Sequence, residues 1–233
     1  VTFANLGIPT GTDFADAKLS GNAWGAGYHV GIQVKATDQL SFGARYLARQ
    51  NIDINDGIIA FSPVSTGIVL AAGNPFGEPA GTPLDAVVAG QFLADSTLSD
   101  QGAKTSLSLP QQFVVGASYA VTPELTILFD YQRTNWKVFK SLVINAEFAG
   151  QTVLKENYEA TNGYRLGGEY AVSPGTAVRL GFLTHDAAAP PQTVTPNLPE
   201  GKRSEITAGF GTRLGSGIHL DLAYQYIDQG DRR

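Results

Sequence analysis

Cysteine and methionine are both missing from the 233 residues. Without cysteine there is no disulfide framework and no thiolate metal site, although an oxidising envelope compartment stays open. Without methionine, Val1 is not a translation start. No basic segment followed by an apolar one precedes it as a leader, so the chain reads as processed or as a fragment, truncated at both ends. Long apolar runs are missing as well: nothing approaches the ~20 residues of a helical membrane span, and the mean hydropathy of -0.04 is that of a soluble protein. That test is blind to barrels, whose strands alternate lipid-facing and polar residues. Positive charge is scarce, with 16 Lys+Arg against 21 Asp+Glu and a net charge of -5. A phosphate-binding stripe is therefore not available, and no nucleic-acid partner is expected. Histidine is limited to His29, His185 and His219, none spaced as a metal pair. No catalytic residue, metal or cofactor is expected, and the chain is not read as an enzyme.

What is present is period-two alternation, in a chain whose length fits a single all-β domain. Residues 22 to 36 set Trp24, Ala26, Tyr28, Val30, Ile32 and Val34 against Gly25, Gly27, His29, Gly31, Gln33 and Lys35. Residues 40 to 54 set Leu40, Phe42, Ala44 and Tyr46 against Ser41, Gly43, Arg45 and Arg49. The pattern returns at Phe113–Tyr119, Tyr164–Tyr170, Val178–Phe182, Ile206–Leu214 and Ile218–Tyr226, giving about eight long strands. From Leu125 to Phe139 the parity switches at Trp136, and a bulge near Arg133 is the simplest explanation.

Connections alternate in length. Short turns fall at Thr37-Asp38-Gln39, Val121-Thr122-Pro123-Glu124, Ser173-Pro174-Gly175 and Gly215-Ser216-Gly217. Long segments, roughly 55 to 104, 140 to 157 and 186 to 203, lie between them. This is the organisation of an outer-membrane barrel with periplasmic turns and extracellular loops. Within the 55–104 loop, a short helix is expected near 82–94, with Thr82 as its cap and Pro83 in its first turn.

A soluble barrel or sandwich shows the same alternation, but three features favour the membrane. Strands of about 11 to 15 residues exceed the globular norm and suffice to cross lipid at a tilt. The charges Lys35, Arg45, Arg49, Arg165, Glu169, Arg179, Glu205, Arg213 and Asp221 all fall on the polar parity, where a lumen can hydrate or pair them. Tyr119 and Tyr170 sit beside short turns, while Trp24, Trp136, Tyr164, Tyr224 and Tyr226 sit toward the long loops, as in two interfacial girdles.

The run Gly21-Asn22-Ala23-Trp24-Gly25-Ala26-Gly27-Tyr28-His29-Val30-Gly31-Ile32, then Phe42-Gly43-Ala44-Arg45-Tyr46, resembles the FadL/TodX family of outer-membrane transporters for hydrophobic compounds. Leu109-Pro110, Asp130-Tyr131 with Trp136, Tyr164-Arg165-Leu166-Gly167, Arg179-Leu180-Gly181-Phe182, and Pro190-Pro191 leading to Leu198-Pro199-Glu200 follow in the family's order. The resemblance implies a fourteen-stranded monomeric barrel, plugged by an N-terminal hatch and opening sideways into the membrane. This sequence matches about eight of those strands, in the latter part. The hatch with its Asn-Pro-Ala signature, the kinked strand and a final aromatic strand end are absent.

The resemblance also directs attention to the loop helix, where relatives form a capture groove. Val87, Val88, Phe92 and Leu93 either receive an apolar ligand there or pack the loop onto the rim. Lys155 lies near the position where fatty-acid-transporting relatives meet the ligand carboxylate, and an ordinary solvated lysine is the competing reading. Arg45, Arg165, Glu169 and Arg179 are expected to line the lumen and to pair with one another or with Glu205 and Asp221. The function implied is passive uptake of long-chain fatty acids or aromatic hydrocarbons, with a hydrophobic small molecule and outer-membrane lipid as partners. A general porin or an adhesive barrel is the alternative, and an outer-membrane hydrolase a third.

Overall fold

The computed structural model describes residues 12–194, 201–215 and 217–230, so Leu198-Pro199-Glu200 and Ser216 lie outside the described residues. In chain order the strands are β1 (Ala15–Ser20), β2 (His29–Lys35), β3 (Leu40–Leu47), β4 (Gln50–Pro63), β5 (Gln101–Leu109), β6 (Gln112–Ala120) and β7 (Leu125–Thr134). They continue with β8 (Ser141–Ala146), β9 (Gly150–Lys155), β10 (Thr161–Ser173), β11 (Thr176–His185), β12 (Arg203–Leu214) and β13 (Ile218–Gln229). One helix, α1 (Leu84–Val88), runs into a single 3-10 turn over Ala89–Phe92.

The chain divides into two compact units. The first (12–24, 52–106 and 142–154) holds a five-stranded sheet in the order β1-β4-β5-β8-β9. The 55–104 segment is thus strand at both ends. Between them Leu84 and Leu70 form a small core, closed by Ile68, Phe76, Val87 and Val88.

The second unit is an eight-stranded antiparallel sheet, β13-β12-β11-β10-β7-β6-β3-β2, called here the wall. Its hairpin neighbours meet in the short turns read from the sequence. In two of them a threonine hydroxyl accepts N–H bonds from two and three residues on: Thr37 from Gln39 and Leu40, and Thr122 from Glu124 and Leu125. Such hydroxyl-closed turns are why Thr is favoured there. Gly175, at φ +90°, supplies the left-handed residue of the third.

Cross-strand register converts alternation into continuous rows. One row runs Val34, Phe42, Ala117, Phe129, Leu166, Phe182, Ile206, Tyr226 across all the wall strands. Below it lies Leu40, Tyr119, Ile127, Gly168, Leu180, Ala208, Tyr224. These side chains are not packed into a core. Ile32 is 66%, Phe210 38% and Leu222 60% exposed. The buried apolar residues of this unit, Ala48, Tyr158, Ala188 and Ala189, lie at the long-loop end instead. An uninterrupted exposed apolar face of this extent is tolerated only against another apolar medium.

The structure corrects several sequence readings. The first strand starts at His29, because Gly21–Tyr28 form no strand and Trp24 is fully exposed outside the wall. Strand 40–54 breaks at Ala48-Arg49. No bulge occurs near Arg133: the register runs unshifted through Phe113↔Arg133 and Gln112↔Thr134. The parity change arises because β7 ends there and Trp136–Val138 form a 3-10 turn. Trp136 then packs edge-on against Tyr158 at 6.0 Å, in the loop core rather than in a girdle. A register shift does occur, between Ala171 and Ser173. Finally, Pro83 rather than Thr82 holds the N-cap position of α1, with no side-chain cap bond.

Candidate functional site

The opposite face of the wall carries Arg45, Arg165, Glu169, Arg179, Glu205 and Asp221, and the register brings several of them within reach of one another. Arg179 donates to Glu169 at 2.5 Å and to Asp221 at 3.3 Å, a reach from β10 across β11 and β12 to β13. It lies over Gly209 and Gly211, where side chains would meet its Cβ and guanidinium. Arg165 donates to Gln132 and Arg45 to Gln112, each at 2.5 Å. Arg203 pairs with Glu205 at 3.0 Å, and Glu205 also accepts from Gln225. The ion-paired groups except Glu205 are substantially exposed, so solvent screening leaves each pair weak. The partners Gln112 and Gln132 were not singled out from the sequence, since nothing but register places them.

Toward the β2 edge this face opens into a cleft of about 560 Å³. Its floor is made of small residues, Gly43, Gly116, Ser41 and Ser118, with Arg45 and Asp130 on its sides and Leu128 reaching in. The Asp130 carboxylate lies over Gly116, where a Cβ would collide with it. The combination of an open floor, one cation, one anion and apolar patches suits an amphipathic or uncharged guest.

The loop residues fall into two sets. Val87 and Val88 are half-buried against Leu84 and so serve the loop core. Phe92 is half-buried, and Leu93, 66% exposed, follows the 3-10 turn. Asp85 anchors the helix: its carboxylate accepts from the Thr66 hydroxyl at 2.6 Å, the Thr66 N–H at 3.0 Å and the Ser65 hydroxyl at 2.9 Å. Hydrogen bonds from the Thr66 hydroxyl, then its N–H, then Ser65 hold this carboxyl below the usual range. Lys155 is the exposed last residue of β9.

Comparison with known proteins supplies the context. A family profile described as outer membrane protein transport protein (OMPP1/FadL/TodX) matches residues 2–232. A long-chain fatty acid transport protein of Escherichia coli O6:H1 is 22% identical over 214 residues, 91% of this chain and 44% of that protein. The chain thus spans about half the length of the curated relatives it matches. Among solved structures, a Pseudomonas aeruginosa FadL homologue superposes with a TM-score of 0.67 at 19% identity, covering 86% of this chain and 43% of its own. The Pseudomonas putida toluene transporter TodX gives 0.58 at 16% identity, covering 90% and 46%. At these identities the likeness establishes fold, an outer-membrane antiparallel β-barrel. The wall strands are therefore the barrel strands of that fold, with the apolar rows on one face and Arg45, Arg165, Glu169 and Arg179 on the other. The chain belongs to the OMPP1/FadL/TodX family of outer membrane transport proteins.

Proposed function

We propose that the protein to which this chain belongs is a passive outer-membrane channel for hydrophobic compounds, either long-chain fatty acids or aromatic hydrocarbons. The observation that carries this reading is the family match across residues 2–232. The cleft above Gly43 and Gly116 supports it, because its small-residue floor leaves room for a guest beside the apolar side chains of Val114 and Leu128. No covalent step or energy input enters: a guest moves down its gradient from water, along the inner face, toward the lipid it prefers. Phe92 and Leu93 present apolar surface to an arriving ligand, while Val87 and Val88 support the loop beneath them. Lys155 offers a counter-charge that a carboxylate uses and a hydrocarbon does not.

The test is uptake by proteoliposomes carrying the complete protein. A fluorescent long-chain fatty acid or toluene is expected to cross faster than in empty vesicles, without swelling in isotonic sugar. Lys155→Gln is expected to lower fatty-acid binding severalfold and to leave toluene untouched if the ligand is an acid. Swelling in sugar at porin-like rates, which the charged inner face makes the competing outcome, would overturn the reading.

A further inference from the structure

Along the outward parity of β7 the side chains read Leu125, Ile127, Phe129, Tyr131 and then Arg133. An arginine on a lipid-facing position is expensive at the midplane and nearly free at the interface. Arg133 stands at the interface: it is one residue from the long-loop end of β7, beside Phe113 in the register and one step beyond the Tyr131–Tyr164 pair, whose rings lie 5.3 Å apart. Its guanidinium is positioned rather than loose. Nη1 donates to Asn162 Oδ1 at 2.9 Å, and the Tyr131 hydroxyl donates to the same oxygen at 2.8 Å. Asn162 is itself locked, with its amide nitrogen and backbone N–H both bonded to Asp186 Oδ2, at 2.9 and 3.0 Å.

Among the described residues no carboxylate lies within 4.0 Å of Arg133. Asp186 has Lys202 and His185 near it. In the loop after β7, Lys137 and Lys140 share the single carboxylate of Glu159, at 3.5 and 3.8 Å. A guanidinium has five N–H donors, and Arg133 engages one with Asn162. The others are offered at the level where acyl chains give way to headgroups, directly above an apolar wall.

We propose that Arg133, oriented by Asn162 and Tyr131, docks the phosphate of a phosphorylated outer-leaflet lipid whose acyl chains lie against Tyr131, Phe129 and Leu166. The geometry fits a phosphate better than a carboxylate partner, because a tethered lipid brings its anion to this height by its own burial and the bond needs no further ordering. This inference depends on the membrane orientation of the wall and not on what the channel carries.

The experiment uses the complete protein in phosphatidylcholine nanodiscs containing either bis-phosphorylated lipid A or its phosphate-free analogue, with bound lipid counted by native mass spectrometry. Retention of the phosphorylated lipid is expected, with loss of about fivefold in Arg133→Gln, the effect of one basic side chain at an anionic surface. Arg133→Lys is expected to recover part of it, and Asn162→Ala to weaken it while leaving toluene or fatty-acid uptake unchanged. Equal retention by Arg133→Gln, equal binding of the phosphate-free lipid, or displacement by inorganic phosphate alone would each overturn the proposal. If uptake fails while lipid retention stays dependent on Arg133, the transport reading falls and this one stands.

Discussion

Asp85 shows how one side chain can order a loop whose apolar core is small. Its carboxylate accepts three bonds from Ser65 and Thr66, tying the start of α1 to the segment after β4. Because its folded value lies below that of the unfolded chain, its contribution is complete above about pH 4 and is lost as pH falls through the lower folded value. Amide exchange checks this: Thr66 and Ile68 should be protected at neutral pH and lose protection on acidification. In Asp85→Asn both amides should exchange severalfold faster at neutral pH, and the acid-dependent loss should vanish. At this scale the sequence was partly legible. Parity alone put Arg45, Arg165, Glu169 and Arg179 on one face. It did not name Gln112 and Gln132 as partners, because those contacts join positions far apart in the chain through register. It also placed the helix cap at Thr82 instead of Pro83.

Strands are read most securely where both faces have opposite solvents. Leu180 and Leu128 occupy adjacent levels of the wall on opposite faces, as the rows Leu180–Gly168–Ile127 and Leu128–Gly167 show. Leu180→Arg should destabilise the folded protein by about 2 to 4 kcal/mol, the cost of a basic residue near the hydrocarbon midplane. Leu128→Arg, placed in water beside Asp130, should stay within about 0.5 kcal/mol of wild type. Denaturant unfolding in vesicles measures both, and equal losses would mean the faces have been exchanged. Strand ends were less legible for a physical reason. Beyond the hydrocarbon the two-sided solvent contrast disappears, and alternation stops carrying information. That is why Trp136 reads as a strand residue when it belongs to a 3-10 turn packed on Tyr158.

For the molecule as a whole, the edges matter most. Within the wall β10 is hydrogen-bonded on both sides, while β2 and β13 each have one neighbour among the described residues. An unpaired strand edge is unfavourable in hydrocarbon. Amides on the free edges of β2 and β13, in this chain alone in micelles, should therefore exchange at least about tenfold faster than those of β10. Uniform protection would mean that the two edges find each other. The eight strands of the wall, the sets of side chains that share each face and the alternation of short turns with long segments were legible in the sequence itself, because contact with two different solvents imposes a period that local side chains must obey. The second sheet built from the long loops, the glycine-floored cleft and the Arg133–Asn162–Asp186 chain were decided only by the tertiary structure. Each depends on which residue stands opposite which across neighbouring strands, and that choice is made by register and turn geometry summed over the sheet, not by any single stretch of chain.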